Sequence, residues 1–80
     1  MLEDDEILEE SAKKILIKEF GENSIKSVVL RRNTLVIRLD VIKTPAIDKL
    51  FNNVFERKFG NKLREKQLSY KFTYINPKVD

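Results

Sequence analysis

The side chains best equipped for chemistry in this chain are its cations. Between positions 57 and 71 stand Arg57, Lys58, Lys62, Arg64, Lys66 and Lys71, with Glu65 as the sole acid. Arg31, Arg32 and Arg38 add three guanidinium groups from a separate stretch. Such groups neutralise phosphates and release the counterions condensed on a polyanion, which yields a salt-sensitive affinity for nucleic acid. The plainer reading of the same residues is a solvated surface. Contrast gives them weight. Residues 1–22 hold eight acids and three bases, a net −5, whereas residues 23–80 hold 13 bases and five acids, a net +8. The whole-chain charge of +3 conceals that division. Asymmetry of this kind points to a polyanion-binding body with an acidic end.

Other chemistry is poorly provided for. The chain has no cysteine and no histidine. That removes disulfides, thiolate and imidazole metal ligands, and any nucleophile–histidine pair. Gly21 and Gly60 are the only glycines, so the glycine-rich loops that cradle phosphates cannot form. Asp40 and Asp48 come nearest to a carboxylate pair, and nothing in their spacing brings them together. The run Glu3-Asp4-Asp5-Glu6 lacks the loop glycine and ligand spacing of a calcium site. The expectation is a module that is not an enzyme, with no catalytic residue, metal or cofactor. One aromatic row remains. Tyr70, Phe72 and Tyr74 alternate along a strand; exposed they would stack bases, buried they are core. Leu68 continues the row and favours the core.

The elements that must position these residues can be read from periodicity. Leu8, Ala12, Ile15 and Leu16 recur at helical spacing, predicting a helix over 4–20 that ends at Gly21. Residues 25–31 and 34–42 are rich in β-branched types, and Leu35, Ile37, Leu39 and Val41 alternate with outward partners. Arg32-Asn33 supplies the turn, with Asn33 the residue suited to positive φ. In the first strand the consecutive Val28, Val29 and Leu30 leave the inward face open. Thr44 as N-cap and Pro45 at the first helical position start a second helix, predicted over 45–59 and closed by Gly60. A charged connection over 61–66, or a helical turn through Leu63, leads to a strand over 67–75, ended by Asn76-Pro77. Residues 76–80 are expected to fray.

Eighty residues make one domain. The order α-β-β-α-β predicts an α+β fold, a three-stranded sheet with both helices on one face. No apolar run approaches the roughly 18 residues of a membrane span. The acidic N-terminus lacks the basic character of a targeting peptide, so the cytoplasm is the default expectation.

The stretch from about Gly21 to Ile75 resembles the DciA-type family, bacterial replicative-helicase loaders with a KH-like domain. The resemblance rests on Asn33-Thr34-Leu35-Val36-Ile37-Arg38-Leu39, a turn followed by an alternating strand. After it come an amphipathic helix ending Phe59-Gly60 and a last strand. It implies a KH-like fold, contact with DNA or RNA through the basic surface and a protein partner in DNA replication. The leading expectation is therefore a small non-catalytic nucleic-acid-binding module. Arg31, Arg32, Arg38, Arg57, Lys58, Lys62, Arg64, Lys66 and Lys71 would be its phosphate contacts. The rival is a protein–protein adaptor or inhibitor, including a homodimer paired through an edge strand.

Overall fold

The computed structural model describes residues 2–75, with side chains over 5–75; the expected frayed tail, 76–80, lies outside the described residues. The elements are α1 (Leu2–Phe20), β1 (Ile25–Arg31), β2 (Thr34–Ile42), α2 (Pro45–Glu65) and β3 (Ser69–Ile75), with a 3-10 turn at Glu22–Ser24. This is the expected α+β order. The sheet is mixed, with β2 in the centre, antiparallel to β1 and parallel to β3.

The alternation of β2 does what period 2 predicts: Leu35, Ile37 and Leu39 are buried. Val28 and Leu30 on one side of it, and Tyr70 and Phe72 on the other, pair with the same residues and face the same way. Against that face pack Leu8, Ala12 and Leu16 from α1 and Phe51, Phe55, Phe59 and Leu63 from α2. The ambiguity of β1 has a local cause. Its register shifts between Ile25 and Ser27. This bulge lets Ile25 and Val28, three apart, both point inward while Val29 points out.

The N-terminus of α2 is built as expected. The Thr44 hydroxyl accepts the Ile47 N–H at 3.1 Å, and Pro45 occupies the first turn. Its end differs from expectation: the helix continues through Gly60 to Glu65. Gly60 is buried in the helix because the Glu56 and Arg64 side chains meet across it; a Cβ there would come within 2.5 Å of the Glu56 carboxylate. The true stop is Gln67, at φ 58. Its N–H donates to the Arg64 carbonyl at 3.1 Å, and the Leu68 N–H donates to the Leu63 carbonyl at 2.8 Å. That is a Schellman ending with glutamine in the place usually held by glycine. It also takes Gln67 and Leu68 out of β3.

The aromatic row of β3 is core. Phe55 packs edge-on against Tyr70 and Phe72, at centroid distances of 5.0 and 5.8 Å. Both tyrosine tips reach carboxylates on α2: the Tyr74 hydroxyl donates to Asp48 Oδ1 at 2.6 Å and the Tyr70 hydroxyl to Glu56 Oε1 at 3.3 Å. Burial, then the hydrogen bond and charge of Asp48, push the Tyr74 hydroxyl well above its ordinary pKa of 10.0. Tyr70 is raised too, by burial first and Glu56 second.

Candidate nucleic-acid interface

With both helices on one face, no element among the described residues covers the other face of the sheet. Register fixes what it displays. Arg31 stands opposite Thr34, and Thr34 opposite Ser69; Val29 stands opposite Val36, and Val36 opposite Lys71; Ser27 stands opposite Arg38, and Arg38 opposite Thr73. A shallow concavity of about 570 Å³ runs over this face and includes Arg31, Arg38 and also Lys26. Lys26 was not singled out in the sequence. Its signal was the spacing of three between Ile25 and Val28, which requires the bulge that carries it. Asp40, exposed on β2, is the one acid among these outward positions.

The nine basic residues expected to make phosphate contacts divide into two groups. Arg31, Arg38 and Lys71 share the open face, and Arg32 forms the hairpin tip beside it. Arg57, Lys58, Lys62 and Arg64 lie on α2, which packs against the opposite face. Lys66 is the C-cap of α2, at the start of the connection that the Ser69 N–H ties to the hairpin turn by donating to the Asn33 carbonyl at 2.8 Å. Two of the α2 bases are already engaged. Lys58 Nζ lies 3.4 Å from Glu19 Oε2 on α1. Arg64 is bridged to Glu56 and donates to Asn61 Oδ1 at 2.6 Å. Among the described residues, no ion pair involves Lys26, Arg31, Arg32, Arg38 or Lys71.

The hairpin tip corrects one detail. Positive φ falls on Arg32 (55°), not on Asn33. Positive φ at the first of two loop residues is the II′ pattern, a glycine position. An arginine there presents its charge at the tip at a conformational cost of about 1 kcal/mol.

No family model matches this chain, nor does any curated protein or solved structure compared with it. No helix of the described residues is long and apolar enough to cross a membrane.

Proposed function

We propose that this protein is a small non-catalytic nucleic-acid-binding module that uses the open face of its sheet and the adjoining hairpin tip for phosphate contacts. The KH-like, DciA-type resemblance and a place in DNA replication belong to the same proposal. One observation carries it: Arg31, Arg38, Lys71 and Lys26 gather on one uncovered face with Asp40 as their only acid and no ion pair among them. Four phosphate contacts would make affinity for a duplex fall about 100-fold between about 50 and about 200 mM salt.

Fluorescence anisotropy at those two salt concentrations tests it. Joint replacement Arg31→Ala, Arg38→Ala and Lys71→Ala is expected to weaken binding at least about tenfold at the lower salt, while Arg57→Ala with Lys62→Ala, on the helix side, leaves most of it. Absence of binding at low salt, or loss only in the helix-side variant, overturns the reading. A second reading, homodimerisation, is favoured by β3 having β2 as its only strand partner among the described residues; light scattering across micromolar dilution separates it.

A further inference from the structure

We infer that the ligand of the open face is double-stranded nucleic acid, gripped by its phosphates; this rests on the function proposed above and names its substrate class. Proteins that favour single strands offer aromatic rings on which unpaired bases stack. Here Tyr70 and Phe72 are turned the other way, and Tyr74, at the border of the concavity, sends its hydroxyl to Asp48 on α2. Phe72 lies against Phe51 and Phe55, Tyr70 lies against Phe55, and both tyrosine hydroxyls are spent on Asp48 and Glu56. The outward side chains are Val29 and Val36, short hydroxyls, the bases and the single acid Asp40. Nothing on this face rewards a base for leaving its stack.

What the face does offer suits a rigid polyanion. Arg31 on β1 and Lys71 on β3 stand on opposite margins, two strand spacings across and two residues along the sheet, or about 12 Å apart, and Arg38 stands on β2 one row further from Arg31 than Lys71 does. Ser27, Thr34 and Ser69 alternate with these bases and place hydroxyl donors for phosphate oxygens. The array is fixed by the hydrogen bonds of the sheet and needs no rearrangement. A duplex presents phosphates already fixed in space, at about twice the axial charge density of one strand. A flexible strand would have to be ordered to match and has fewer charges to bring.

The test compares the intact protein on four labelled ligands: a DNA duplex, an RNA duplex, and an unstructured single strand of each kind with the same length. Anisotropy at one low salt concentration is expected to show at least one duplex bound about tenfold more tightly than its single strand. The duplex salt slope should be near four and should fall by about three units in the Arg31→Ala, Arg38→Ala, Lys71→Ala variant. Single strands bound as tightly as duplexes would overturn the inference and leave the nucleic-acid function standing. Failure of all four ligands to bind would instead remove the function itself. Circular dichroism of the variant shows whether its loss is one of contact or of fold, and the comparison on the unaltered protein needs no variant at all.

Discussion

Two residues hold a backbone conformation that their side chains disfavour, Arg32 at φ 55 and Gln67 at φ 58. They are the same kind of position with different consequences. Gln67 ends α2, and its exposed side chain makes no hydrogen bond among those of the described residues. Gln67→Gly should relieve the left-handed strain and stabilise the fold by about 0.5–1 kcal/mol, raising Tm by roughly 4 °C in a thermal melt. Arg32→Gly should stabilise by a similar amount, but it removes the cation at the hairpin tip. Its nucleic-acid salt slope should then fall by about one unit. A variant that gains stability and keeps its full slope would show that the tip arginine makes no contact. The sequence made the loop length legible, because the two strands stop at Arg31 and resume at Thr34. It did not say which of the two loop residues turns left-handed. Asn33 has the better intrinsic preference, and the pairing of the strands overrides it.

At the scale of elements, what was legible is what repeats. The alternation of β2 and the cap at Thr44–Pro45 are local patterns with a single physical outcome. The end of α2 is not local: Gly60 reads as a stop, yet the helix continues past it because Phe59 and Leu63, on either side, are both buried in the core. The β1 bulge was hidden for a related reason, since only the pairing with Leu39 and Arg38 reveals the extra residue. The docking of β3 onto α2 yields a pH prediction. Tyr74, and Tyr70 with it, has a pKa raised above the ordinary 10.0. The folded state therefore holds these protons more tightly than the unfolded chain does. Their stabilisation is complete below the unfolded value and is lost as pH rises through the folded one. Urea unfolding followed from about pH 9 to about pH 11 should show the wild type losing stability more steeply than Tyr74→Phe. Lysine titration is common to both proteins, so parallel curves would mean that the Asp48 hydrogen bond contributes nothing to this dependence.

Across the whole molecule the acidic helix and the basic face meet at one end, a juxtaposition that charge counting along the chain could not place. The Leu30 N–H donates to Glu9 Oε2 at 2.7 Å, and the Ser24 hydroxyl donates to the Phe20 carbonyl at 3.1 Å. α1 thus runs antiparallel to β1, with its later turns beside Ile25. Its first turns continue past Leu30 in the direction of Arg31 and Arg32. Asp5 and Glu6 are exposed there, roughly 6 Å and 4.5 Å further along the helix axis than Glu9. No ion pair joins them to the tip arginines, so their influence is that of a field rather than a contact. Bringing a phosphate backbone to Arg31 and Arg32 must then bring it near two carboxylates, and like-charge repulsion opposes approach. Joint replacement Asp5→Asn and Glu6→Gln should tighten nucleic-acid binding about threefold to tenfold at about 20 mM salt, where the screening length exceeds the distances involved. The gain should disappear near about 0.5 M salt, where screening acts within a few ångströms. Unchanged affinity at low salt would mean that the ligand approaches from the β3 side, over Lys71, and never passes the start of α1.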